Sequence, residues 1–164
     1  MIILGIDPGL ALMGYGVIDY TGGGYKMLTY GVISTAARSP MPQRLRTIHT
    51  ALGQLIDTFQ PEDIAFEELF FGHNVTTGIA VAQARGAALA AAAERTENLY
   101  EYTPMQIKQA ITVYGKAEKQ QMQNMVKLLL KMDEPAKPDD AADALAVAIT
   151  HANCLHAKEL YRIK

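Results

Sequence analysis

Met1-Ile2-Ile3-Leu4-Gly5-Ile6-Asp7-Pro8-Gly9 opens the chain. An apolar run this short, closed by Pro-Gly, reads as a β-strand buried on both faces. Such a strand is central in its sheet, with helices above and below. Its last position breaks the pattern, because Asp7 stands where another Ile or Val is expected. A buried, unpaired carboxylate is costly, so Asp7 needs a cation, a basic side chain or backbone donors. The expected partner is a metal ion, held jointly with carboxylates from two later segments.

Outward from that strand, Leu12 to Asp19 and Tyr25 to Ser34 read as two more strands in a meander, turned by Thr21-Gly-Gly-Gly24. Ser39-Pro-Met-Pro42 starts a helix on which Leu45, Ile48, Leu52, Leu55, Ile56 and Phe59 recur at helical spacing; Pro61 ends it. Asp63 to Phe71 reads as a fourth strand and Leu99 to Tyr102 as a fifth. Helices are expected over Thr76–Arg95, Pro104–Val113, Glu118–Met132 and from Asp139 to about Leu160. On helix 76–95, Val75, Ile79, Ala82, Gly86, Leu89 and Ala93 lie near one side; such small residues suit core packing or a dimer interface, and periodicity favours the core. A meander followed by βαβ units predicts an α/β fold, a mixed five-stranded sheet with helices on both faces.

The 164 residues suffice for one domain spanning 1–164, and their 49% hydrophobic and 20% charged content is that of a soluble globular protein. The single Cys154 excludes an internal disulfide framework and suits a reducing, cytoplasmic setting. The longest apolar tract, Ile79 to Ala93, is interrupted by Gln83 and Arg85 and will not span a membrane. The net charge of −2 conceals its distribution. Residues 104–131 carry five lysines against Glu118 alone, and residues 132–143 carry five acids against Lys137 alone. Two solvated faces would explain this; so would a phosphate-binding surface beside a metal site.

Acids interrupt apolar patterns in three places: Asp7; Glu67 and Glu68 in the fourth strand; and Asp139, Asp140 and Asp143 at the start of an apolar helix. Ligand sites in open α/β sheets gather at the carboxyl ends of strands where strand order reverses. Asp140 and Asp143, three apart, can reach one patch. Each acid also has a structural explanation. Asp7 could be a turn residue, one of Glu67 and Glu68 could pair with a lysine, and Asp139 is best read as a cap that complements the helix dipole. Three coincident exceptions favour a metal site. Oxygen ligands without a His or Cys cluster suit Mg²⁺ or Mn²⁺. Two such ions about 3.5–4 Å apart can activate water and stabilise the leaving oxygen of a phosphoryl displacement.

With these residues assembled, the chain resembles the RuvC family of Holliday-junction resolvases, of ribonuclease-H-like fold. The resemblance rests on Gly5-Ile-Asp-Pro-Gly9 with Gly14-Tyr-Gly16, Ala65-Phe-Glu67 running into Asn74, and Gln83-Ala-Arg-Gly86. It continues through Tyr102-Thr-Pro104, Ile107-Lys-Gln109, Gly115 to Lys119 and Asp140-Ala-Ala-Asp-Ala-Leu-Ala146. It implies a homodimeric, Mg²⁺-dependent endonuclease with Asp7, Glu67, Asp140 and Asp143 as its metal-holding, catalytic acids, nicking a four-way DNA junction symmetrically. Glu67 rather than Glu68, and Asp140 rather than Asp139, match the family's catalytic positions. Phe70 matches an aromatic that wedges against a base, and Lys108 and Lys119 match residues that contact phosphates. The RuvA–RuvB branch-migration complex is the implied partner. Glu68 and His73 depart from the usual residues at their positions, which leaves their roles open.

Three rivals follow from the same residues. A ribonuclease-H-like nuclease for structured RNA would share the metal site. An actin-like ATPase would share Ile6-Asp-Pro-Gly9 but needs two such domains. A non-catalytic junction binder would have no use for four converging acids near phosphates.

Overall fold

In a computed structural model that describes residues 1–69, 75–112 and 118–164, β1 (Ile2–Asp7) is the middle strand of five. It pairs antiparallel with β2 (Leu12–Thr21), which pairs antiparallel with β3 (Gly24–Ser34). On its other side it pairs parallel with β4 (Asp63–Glu67), and β4 pairs parallel with β5 (Leu99–Tyr102). The order β3-β2-β1-β4-β5 is the mixed sheet expected of a meander followed by crossovers. The fourth strand ends at Glu67, short of the expected Phe71.

Alternation along β1 divides the core in two. Leu4 and Ile6 face one layer with Ile48, Leu52 and Ile56 of α1 (Met41–Phe59) and Ala84, Ala88, Ala91 and Ala92 of α2 (Val75–Ala93). Ile3 faces the other layer, with Ile107 and Ile111 of α3 (Pro104–Thr112), Met122 and Val126 of α4 (Lys119–Leu129), and the apolar side chains of α5 (Asp139–Asn153). The last expected helix divides: α5 stops at Asn153 and a 3₁₀ segment covers Leu155–Tyr161.

α5 is buried at eleven of the twelve side chains from Ala141 to Ala152, the exception being Asp143. It lies on the sheet where β1 and β2 offer no side chain. A Cβ added at Gly5 would stand 2.2 Å from the Ala144 carbonyl oxygen, and one at Gly14 would stand 1.9 Å from that of Asp140. Gly14 is the register partner of Asp7. These two glycines admit backbone against backbone and set the N-terminal end of α5 directly beside the end of β1.

On α2 the stripe assigned to the core is not the buried one. Ala84, Ala88, Ala91 and Ala92 are fully buried, while Ile79 is 56% exposed and a Cβ at Gly86 would meet nothing within 4 Å. Low amphipathicity explains the difference: Ala-rich sequence on both sides of a helix gives periodicity little to work with.

Candidate active site

Strand pleat places the first two acids. Ile3, Gly5 and Asp7 share the α5 face of β1, and Asp63, Ala65 and Glu67 share the same face of β4. The parallel register runs Ile3↔Asp63 through Ile6↔Phe66, so one residue further on Asp7 comes beside Glu67. Adjacent strands lie about 4.8 Å apart. Glu68 leaves the strand, gives its backbone N–H to the Tyr102 carbonyl at 2.8 Å and is exposed. Alternation therefore separates Glu67 from Glu68.

α5 supplies the rest. Asp140 and Asp143 are half-buried near its N-terminus, above Asp7 and Glu67. Burial pushes the Asp7 carboxyl from 3.8 up to about 8, and Glu67, Asp143 and Asp140 each add to the rise. Burial, then Asp143, takes Glu67 from 4.5 to about 7, with Lys108 and Lys119 opposing. Asp143 is raised as well, by burial and then by Asp139 and Asp140, against Lys119. The acids thus feel one another strongly, and none of these four shares a hydrogen bond with another among the described residues.

Asp139 behaves differently. Pro138 is the N-cap of α5, and Asp139 makes no capping hydrogen bond. It pairs instead with Lys119 at 3.1 Å and accepts from Gln123 Nε2 at 2.8 Å, which hold its carboxyl below the usual range. Its charge still complements the first turn, but its contacts join α5 to α4. The capping expectation is corrected accordingly.

Two lysines face the cluster. α3 begins with reciprocal bonds between Thr103 and Gln106, at 2.8 and 3.2 Å, and with Pro104 in its first turn. One turn on, Lys108 is half-buried and lines a cavity of about 270 Å³ with Glu67, Lys119, Met122 and Asp143. Lys119 opens α4 and reaches Asp143 at 3.5 Å as well as Asp139. Burial works against its charge, but Asp139 and Asp143 outweigh it and raise its pKa. Phe70 and His73 lie outside the described residues.

The donor set fits a hard cation. Four carboxylates come together from three elements, and Asp7, Glu67 and Asp143 have raised pKa values, so positive charge is needed for the cluster to ionise together. Among the described residues no three acidic, His or Cys side chains already stand at metal-ligand spacing.

A second acid, Asp63, lies at the far end of the same face. It is buried and bound by His151 Nε2 at 2.8 Å and Lys158 Nζ at 2.7 Å, while His151 Nδ1 meets the Tyr102 hydroxyl at 2.9 Å. Burial would raise its pKa, but His151 and Lys158 more than offset this and hold it low. Sequence reading passed over Asp63 because its partners lie 88 and 95 residues away.

The chain matches the family described as "Crossover junction endodeoxyribonuclease RuvC" over residues 3–151. The protein of that name from Alkaliphilus metalliredigens is 51% identical over all of both chains. Its namesake from Desulforamulus reducens is 55% identical over 93% of each. The solved structure of Thermus thermophilus RuvC in complex with Holliday junction substrate superposes with a TM-score of 0.87 at 35% identity, covering 95% of this chain and 96% of that one. Among the described residues no helix is long and apolar enough to cross a membrane. With a ribonuclease-H-like sheet, the acids gathered at its centre and these full-length likenesses, the chain belongs to the RuvC family of Holliday-junction resolvases.

Proposed function

We propose that this protein is a metal-dependent endonuclease that resolves four-way DNA junctions by paired nicks, with Asp7, Glu67, Asp140 and Asp143 as the metal-holding, catalytic acids. The observation that carries the proposal is the set of four half-buried acids, in which burial and then mutual repulsion raise the pKa of Asp7, Glu67 and Asp143. Mg²⁺ fits the all-oxygen donor set, with Mn²⁺ as its substitute and two ions per site as the working stoichiometry. When bound, such ions activate the attacking water and stabilise the leaving oxygen. The protein's own part is positional. β1 and β4 fix Asp7 and Glu67, and α5 holds Asp140 and Asp143 over them. Lys108 stands beside Glu67 to neutralise a phosphate. Lys119, 57% exposed and tethered among the described residues only to Asp139 and Asp143, can turn from them to an incoming phosphate. Phe70, three residues beyond Glu67, is assigned to the junction's bases.

Two symmetric nicks call for a C₂ dimer with two identical sites. The outward stripe of α2, with Ile79 exposed and Gly86 open, supports a second copy as the partner that covers it. The RuvA–RuvB complex is the further partner that family membership suggests, and the cytoplasm the compartment. Nicking of a synthetic four-way junction by wild type and Asp7→Asn tests the site. Wild type should cleave with Mg²⁺, and the variant should bind the junction without cleaving it. Full cleavage by Asp7→Asn would sink the metal-site assignment.

A further inference from the structure

The acids border two hollows. One is the cavity that holds Lys108 and Lys119, with Glu67 and Asp143 on its wall. The other, about 510 Å³, opens on the Asp140 side and is lined by Gly9 to Leu12, Ala80, Val81 and a single cation, Arg44. Asp140 and Asp143, three residues and about 4.5 Å apart along the axis of one helix, each line one of the two hollows.

Among the described residues, Arg44 is held at one nitrogen only. Its Nε donates to Thr35 Oγ1 at 2.8 Å, and the Thr35 hydroxyl donates to the Leu10 carbonyl. The Thr35 backbone N–H donates to the Ala11 carbonyl at 3.0 Å, so the same residue fixes the β1–β2 turn. Among the described residues, no carboxylate pairs with Arg44 and its two terminal nitrogens carry no hydrogen bond. The guanidinium is therefore oriented through one N–H while the outer fork is uncommitted, and that fork matches phosphate geometry. Apart from Asp140 at its edge, the remaining lining is apolar or backbone, which suits a deoxyribose more than a second charge.

We propose that this hollow is a second phosphate subsite for the cleaved DNA strand, with Arg44 as its anion-binding residue and Thr35 as its positioning residue. It rests on the nuclease reading above. A strand with one phosphate at the acids carries further phosphates on both sides. Lys108 and Lys119 then meet the backbone on one side and Arg44 meets it on the other, so the strand crosses the N-terminal end of α5.

A junction series carrying one neutral methylphosphonate at successive positions of the cleaved strand tests this, with affinity measured in Ca²⁺ to prevent cleavage. One position flanking the nick should weaken wild-type binding about tenfold and leave Arg44→Ala binding almost unchanged, as expected for a lost charge-assisted contact. The salt slope of log K for unmodified junction should fall by about 0.7–0.9 in Arg44→Ala. Thr35→Val keeps the charge, so its slope should match wild type. If Arg44 only clamps the turn, both variants lower Tm alike, keep the wild-type slope and lose affinity equally at every methylphosphonate, and the subsite is overturned. Failure of wild type itself to bind the junction would instead overturn the nuclease reading.

Discussion

Replacing Asp7 by Asn should make the metal-free protein more stable. Asp7 is half-buried, makes no hydrogen bond among the described side chains and sits among three other acids. A carboxyl raised from 3.8 to about 8 on folding loses ~6 kcal/mol of stability once it is fully ionised. Asn removes that charge but leaves a partly buried amide without a partner, which costs roughly 1–3 kcal/mol. Water entry at a partly exposed site reduces the first figure further. A gain of about 2–3 kcal/mol at pH 8 is the expected result. For a chain of this size that is a rise of about 4–12 °C in Tm.

The sign with pH is specific. Below the unfolded value of 3.8 Asp7 is protonated in both states, and the two proteins should be equally stable apart from the amide cost. Between 3.8 and about 8 the folded state holds the proton more tightly, so wild type loses stability as pH rises and the variant's advantage grows. Above about 8 the difference is constant. Chemical unfolding in EDTA from pH 4 to 9 measures this, and millimolar Mg²⁺ should stabilise wild type more than the variant. An Asp7→Asn protein that is less stable than wild type at pH 8 in EDTA would refute the claim that these acids repel one another uncompensated.

Gly5→Ala should fold poorly, because its Cβ would stand 2.2 and 2.6 Å from backbone atoms of Ala144 and Ala148. A loss of about 3 kcal/mol in urea unfolding is expected, with nicking down about a hundredfold in whatever folds, since α5 must lift away from Asp7. Asp63→Asn breaks a buried charge network and should cost about 3–5 kcal/mol in the same assay, while leaving the nicking rate of the folded protein near wild type. Because His151 and Lys158 hold Asp63 low, its contribution is present above pH 3.8 and is lost as pH falls through the folded value, an acid limb that Asp63→Asn should lack.

The central place of β1 was legible because nothing but a doubly covered strand needs Ile2 to Ile6 apolar without alternation. Glu67 could have been chosen over Glu68 by alternation from Ala65, without any resemblance, once α5 was placed on the face of Asp7. Nothing local shows which face that is; it follows from Gly5 and Gly14, whose absent side chains matter only against Ala144 and Asp140 of a helix near the other end of the chain. The same limit hid Asp63, whose partners come from the other end of the chain, and Arg44, whose bond to Thr35 depends on how α1 meets the β1–β2 turn. The outward stripe of α2 was misassigned because Ala serves equally well in a core and on a surface.

Four repelling acids cannot hold themselves together, so the force that assembles them must act elsewhere. α5 supplies it. From Ala141 to Ala152 nearly every side chain is buried against the sheet or α3 and α4, and the backbone rests on Gly5 and Gly14. At its far end His151 binds Asp63 of the same strand that ends in Glu67. One helix and one strand thus meet twice on one face: a satisfied pair at Asp63, and an unsatisfied cluster at Glu67. The satisfied end fixes the helix along the strand, and the apolar contacts between supply the several kcal/mol that the cluster costs. On the proposed nuclease reading, charge from cations returns that cost where the scissile phosphate arrives, so the raised pKa of Asp7 is also what gives the site its demand for metal.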